Sequence, residues 1–287
     1  MNGNYNILIR PTKGWVPFDL TNLFTYRDLL WQLVNRDFTA RFKQTILGPL
    51  WYFINPLITT VLFAIIFGRV LGSSPNGIPS LIFYNAGLLA WNYFSNLLAS
   101  TGNTLQGNVH LFSKVYFPRL IVPLAQVFSN LIGLLVQLVA FVCLVIYVQS
   151  TDAQFVNIKF GWKVLLAPLL LIHIAVLALG AGLLLSALTA RYRDLQNVLS
   201  FIINSLMLAT PVMWPLSTLQ QKFPTNYELF MYANPMISIV EAFRLALIGV
   251  GSFSTIHYAA SLISSIALLI VGIITFQRVA RSFVDQA

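Results

Sequence analysis

No Asp, Glu, Lys or Arg falls between Arg119 and Asp152, between Lys163 and Arg191, or between Arg244 and Arg278. Uncharged runs of this length suit a lipid bilayer, whose hydrocarbon core is crossed by about 20 apolar residues. Inside lipid every backbone N–H and C=O needs a partner, and continuous apolar runs of this length, too long and too uniform for barrel strands, find theirs within a helix. Six stretches read this way, at about 52–71, 81–101, 120–148, 164–188, 197–215 and 258–277. The expected fold is an all-α polytopic membrane protein with six transmembrane helices. Pro123 and the length of the third stretch predict a tilted or bent helix. Composition agrees: 57% of residues are hydrophobic and only 9% charged, where about 25% charged is usual for soluble domains. Mean hydropathy is +0.77.

The net charge of +9 would point to nucleic acid in a soluble protein. Here it is read by position relative to the membrane, and no nucleic-acid partner is expected. Of 17 Lys and Arg, twelve fall in the N-terminal region, the second–third loop, the fourth–fifth loop and the C-terminus; five fall on the other side. The positive-inside rule then places both termini in the cytoplasm, which six spans allow. Residues 1–20 form a polar extension with Pro11, Gly14 and Pro17, lacking the apolar core of a cleavable signal peptide. Residues 21–50 form an interface segment, and 51–287 the membrane domain. Cys143 is the only cysteine, so no intrachain disulfide is possible.

Before the first span, Tyr26, Leu30, Leu33, Val34, Phe38, Phe42 and Ile46 recur at helical spacing. Arg27, Asp28, Arg36, Arg41, Lys43 and Gln44 lie largely on the other side. Thr25 with Asp28 resembles a capping box, and Asp37 with Arg41 an i,i+4 ion pair. A basic amphipathic helix of this kind lies along the cytoplasmic interface, as a lipid anchor or as a docking site for a partner. Its charged residues Arg36, Asp37, Arg41 and Lys43 are the candidates for that contact.

Several chemistries lack their residues. The phosphate-binding motif G-x-x-x-x-G-K-[ST] is absent, as is a G-x-S-x-G elbow. His110, His173 and His257 have no zinc spacing, and no metal site is expected. Helix packing is the expected role of His173. The span interiors hold no Asp, Glu, Lys or Arg to relay protons, which disfavours a self-powered antiporter.

The second span instead carries Asn85, Asn92, Asn96 and Asn103. At 100° per residue they fall within about 20° of one line. Tyr84, Trp91 and Ser95 flank it on one side, Tyr93 and Ser100 on the other. Amides bond hydroxyls and aromatic rings cover the apolar faces of sugars, so the stripe suits a neutral, hydroxyl-rich cargo; interhelical hydrogen bonding is the alternative. Asn197, Ser200 and Asn204 repeat the idea in the fifth span. Ala178, Gly182, Ser186 and Ala190 form a small-residue ladder for helix packing in the fourth. Between the fifth and sixth spans, 237–248 is too short to cross and predicts a re-entrant or interfacial helix. Its Glu241 and Arg244 can pair, either as an outer gate or as a structural salt bridge. In the second–third loop, exposed Phe112, Tyr116 and Phe117 beside Lys114 and Arg119 would make a docking knob, or else an interfacial turn.

These residues also resemble a known family. Arg36-Asp-Phe-Thr-Ala-Arg41-Phe-Lys-Gln-Thr-Ile-Leu-Gly48-Pro-Leu-Trp51 is similar to the segment before the first span in type 2 ABC exporter permeases, in the branch exporting lipid-linked O-antigen, capsule or teichoic-acid polymers. Ser113-Lys-Val-Tyr-Phe-Pro-Arg-Leu-Ile-Val-Pro123, Ala190-Arg-Tyr-Arg-Asp-Leu195 and Asn234-Pro-Met with Glu241-Ala-Phe-Arg244 follow in order. The resemblance implies a homodimer in the bacterial inner membrane. Two copies of a cytosolic ATPase would bind the nucleotide and magnesium, and this chain would bind no cofactor. It implies a coupling helix over Phe112, Lys114, Tyr116, Phe117, Pro118 and Arg119, with Arg191, Arg193 and Asp194 as a second contact. Tyr84, Asn85, Trp91, Asn92, Asn96 and Asn204 would then be candidate pore lining, and Tyr227 to Ile248 the outer gate helices. A permease of the same type for a drug or lipid, or a membrane-embedded transferase, are the rival readings.

Overall fold

The computed structural model describes residues 25–43, 45–70, 78–115, 117–151, 161–192 and 194–283. The secondary structure among them is helical throughout. We number the helices α1 (Arg27–Phe42), α2 (Trp51–Phe63), α3 (Ser80–Gly102), α4 (Thr104–Gly107), α5 (Val109–Lys114), α6 (Ile121–Thr151), α7 (Ala167–Arg191), α8 (Leu195–Ala209), α9 (Leu216–Lys222), α10 (Tyr227–Ala233), α11 (Pro235–Ile248) and α12 (Thr255–Phe283).

Four helices, counted with their short flanking turns, are long and apolar enough to cross a membrane: Gly48–Arg69, Ile121–Thr151, Trp162–Arg191 and Thr255–Arg281. Helices α10 and α11, bent by 93° at their junction, make a fifth if the pair is one broken span. The two remaining expected spans differ for separate reasons. Helix α3 has 23 residues and no charge, but its asparagines lower its hydropathy. It sits inside the bundle against α2, α6, α7, α8 and α11, with every residue from Ile82 to Trp91 buried. A helix covered by other helices has no need of an apolar outer surface. Helix α8 stops at Ala209, short of the expected 215, because Thr210 precedes Pro211. A residue before proline is pushed out of the helical region, and Thr210 is extended (φ −105°, ψ 142°). Its 15 residues measure about 22 Å, less than the bilayer core.

Pro123 does not interrupt the third stretch. It falls in the first turn of α6, where a missing N–H breaks no helical bond, and the helix then runs on to Thr151. Helix α11 has signals at both ends. Asn234 Oδ1 accepts the Met236 N–H at 3.1 Å, Pro235 occupies the first position, and Gly249 ends the helix in the left-handed region (φ 73°).

The most extensive pairing is α7 with α12. It depends on Gly180, where an added Cβ would stand 2.5 Å from the Leu269 backbone nitrogen, and on Gly272, which faces the Gly180 carbonyl. The small-residue ladder serves the opposite neighbour: Gly182 meets Thr101, and Ser186 Oγ accepts the Leu105 N–H at 3.1 Å. His173 bridges α7 and α12, with Nε2 3.0 Å from Ser265 Oγ and its ring edge-on to Tyr258.

Candidate functional site

At one end of the bundle a buried ion pair organises four chain segments. Arg244 Nη1 donates to Glu241 Oε1 at 3.1 Å, and both side chains are almost wholly buried. An isolated pair so placed would be expensive, and here further bonds offset the cost. Arg244 also donates to the carbonyls of Pro211 (2.5 Å) and Val212 (2.7 Å), which the break after α8 leaves without helical partners. Its guanidinium lies 4.0 Å from the centre of the Phe83 ring. Glu241 Oε2 accepts the Ser252 N–H at 2.9 Å. Gly87 on α3 is what admits the guanidinium, since a Cβ there would come 2.5 Å from Arg244 Nη2. The sequence reading found the pair but missed Phe83, Gly87, Pro211 and Ser252. The one legible signal was a glycine inside a strongly helical stretch.

Along α3 the asparagine stripe changes character. Tyr84, Asn85 and Trp91 are buried, Asn92 is half-buried, and Asn96 and Asn103 are exposed. The lower half of the stripe therefore opens on a surface that the single chain leaves uncovered. On α8, Asn197, Ser200 and Asn204 are exposed as well, beside Phe201. Near the mouth, Gln196 donates to Asn103 Oδ1 at 2.6 Å and also bonds Gln106, which reaches the Thr189 carbonyl. That glutamine cluster, tying the α3–α4 corner to α7 and α8, carries no local sequence signal.

At the other end from the Glu241–Arg244 pair, α1 and the α4–α5 corner meet the final turns of α7 and α12. The expected docking knob is corrected here. Phe112 and Phe117 are not exposed: each is about 5% accessible, their rings are 5.8 Å apart, and they pack with Leu33, Val34, Ile121, Leu183 and Phe276. Two large rings in a short loop gain more from burial than from contact with water. What the loop presents outward is His110, Ser113, Lys114 and Val115, with Pro118 and Arg119 half-buried. Tyr116 and Arg193 lie outside the described residues. Arg191 and Asp194 are exposed, and the Arg191 guanidinium sits 5.6 Å from the Tyr192 ring.

Helix α1 packs along α6, burying Leu33 and Val34. It ends at Phe42, so Ile46 falls beyond it and is fully exposed. Its N-cap is Tyr26, with no side-chain capping bond, rather than Thr25. The ion pair also differs from expectation: Asp37 Oδ1 accepts from Arg36 Nη2 at 2.7 Å and Nε at 3.0 Å. Arg41 turns away to donate to Tyr52 Oη at 3.0 Å and Asn130 Oδ1 at 3.4 Å. Lys43 is exposed at the C-cap.

The architecture defines a multi-pass membrane protein with a polar, uncharged central helix. Residues 28–248 match the family described as ABC-2 type transporter, and the chain belongs to it. Members of that family are transport permeases that pair with an ABC ATPase. The chain is 29% identical to the O-antigen export system permease protein RfbA of Myxococcus xanthus, over 77% of this chain and 81% of that one. It is 25% identical to a Klebsiella pneumoniae protein of the same name, over 92% and 96%. It is also 25% identical to the polysialic acid transport protein KpsM of Escherichia coli, over 74% and 78%. The chain is a multi-pass protein of the bacterial inner membrane.

Proposed function

We propose that this chain is the membrane permease of a polysaccharide exporter, working as a homodimer on a lipid-linked glycan. The observation that carries the reading is the half-open asparagine stripe of α3. Asn92 and Asn96 make no side-chain hydrogen bond with any described residue, yet they lie on the most enclosed of the long helices of an apolar bundle. Amides left without partners beside hydrocarbon are costly, and a second protomer facing a hydrated sugar path would satisfy them. The names of the relatives support the cargo class. In this reading α3 is one of six spans, α8 with the turns at 210–215 is another, and both termini face the cytoplasm.

The driving ATPase, two copies per dimer, holds the nucleotide and magnesium. It docks on the outward Lys114 and Val115, with Arg191, Arg193 and Asp194 as a second contact and Arg36, Asp37, Arg41 and Lys43 nearby. Its motion passes through Phe112 and Phe117 into α6, α7 and α12, whose residues share their cluster. Glu241 and Arg244 hold the far end, where α10 and α11 cap the path. Replacing both Asn92 and Asn96 by Leu is expected to abolish surface glycan while the dimer still purifies at its normal size. Full surface glycan from that variant would contradict the pore assignment.

A further inference from the structure

Between α1, the end of α3 and α6 lies a polar cavity of about 410 Å³. We propose that it binds the phosphate headgroup of a lipid in the inner leaflet. Under the export reading, on which the choice of lipid rests, this is the phosphate of the glycan's own carrier.

The charge balance of the cavity favours an anion. Asp37 lines it, but its Oδ1 is held twice by Arg36. That leaves Arg41 as a lining cation with no carboxylate within ion-pair distance among the described residues. Arg41 is held by Tyr52 and Asn130, so its fork is fixed in place while several of its five donors stay available. Ser129 lines the same cavity, is only 2% accessible, and its hydroxyl has no hydrogen-bond partner among the described residues. Buried hydroxyls are normally bonded, and an exception calls for an explanation, which a bound anion in the cavity supplies. Gln126 Oε1 is occupied by Thr104, while its amide nitrogen has no partner among the described residues. A guanidinium, a hydroxyl and an amide therefore line one cavity as donors, which suits the three or four acceptor oxygens of a phosphate.

The depth of the site selects a lipid over a free ion. Tyr52, which positions Arg41, is the second residue of α2, at the start of the span Gly48–Arg69. Its neighbours Leu50 and Trp51 are exposed, as is Trp31 on α1. Exposed tryptophan at a span's end marks the headgroup level of the bilayer.

The test is native mass spectrometry of the full chain with its ATPase partner, titrated separately with polyprenyl phosphate, phosphatidylglycerol and inorganic phosphate. Polyprenyl phosphate is expected to bind, and Arg41→Gln to weaken it about tenfold or more. Ser129→Ala is the variant that keeps the test independent of folding. It removes no internal hydrogen bond, so the melting temperature should hold while affinity falls about fivefold. Equal binding of phosphatidylglycerol would still support a lipid-phosphate site and would identify its occupant as a bulk lipid. Lipid binding indifferent to both substitutions, or binding of inorganic phosphate alone, would overturn the proposal. A wild-type complex that binds the lipid phosphate but moves no glycan would count against the export reading and leave the site standing.

Discussion

Removing the charge of Glu241 leaves Arg244 buried with its positive charge uncompensated. Breaking such a pair from one side costs about 3–5 kcal/mol, so Glu241→Gln should lower the melting temperature of the detergent-purified chain markedly. Arg244→Met should do the same by freeing the Pro211 and Val212 carbonyls. Because the two residues share one network, the double variant should lose less than the sum of the singles. Additive losses would show that the pair is not a unit. Gly87→Ala tests the same node from α3. Its new methyl must displace a guanidinium held on several sides, and overpacking of this kind costs about 1–3 kcal/mol. At this scale the sequence was half legible. The i,i+3 spacing of Glu241 and Arg244 is visible in one helical turn, whereas Ser252 reaches Glu241, and the carbonyls of 211–212 reach Arg244, only through tertiary folding. The same limit explains Asp37, for which an i,i+4 rule chose Arg41. Tyr52, eleven positions along the chain from Arg41, offers that arginine a partner that local spacing cannot see.

Among elements, α5 separates two roles that the sequence reading merged. Phe112 is an anchor, so Phe112→Ala should destabilise the chain by about 3–5 kcal/mol, as large-to-small changes in a core do. Lys114 faces outward, so Lys114→Glu should leave the melting temperature unchanged and weaken capture of the ATPase in a pull-down. The opposite pattern, with Lys114→Glu unfolding the chain and Phe112→Ala only loosening the partner, would reverse the assignment. Helix–helix contact gives a further check: Gly180→Val would drive two methyls into the backbone of α12 and should disrupt folding, whereas Gly161→Val, with open space around it, should be tolerated in stability. Element ends were legible wherever their chemistry is local, as at Asn234-Pro235 and Gly249 of α11. The fifth span was overread because hydropathy carried on past Pro211 while the backbone did not. The aromatics of the α5 loop looked like a surface because their covering residues, Leu33 and Val34, lie far away in sequence.

For the whole molecule, the long uncharged runs suffice to make a membrane bundle, and they leave its centre undecided. Helix α3 is the one long helix among the described residues too polar to read as a span by hydropathy, yet it is the most enclosed of them, an inversion that hydropathy alone cannot anticipate. Its open lower half, the exposed polar face of α8 and the outward Lys114 are three surfaces that one protomer leaves without partners. A second copy, a glycan path and an ATPase account for all three together. The most direct test is to purify the chain alone and co-expressed with an ABC ATPase partner, and to measure ATP hydrolysis and complex size. The account predicts no hydrolysis by the chain alone, and an active complex of two permeases with two ATPases that Lys114→Glu weakens. Hydrolysis by the isolated chain, or a permease that never forms the complex, would contradict it.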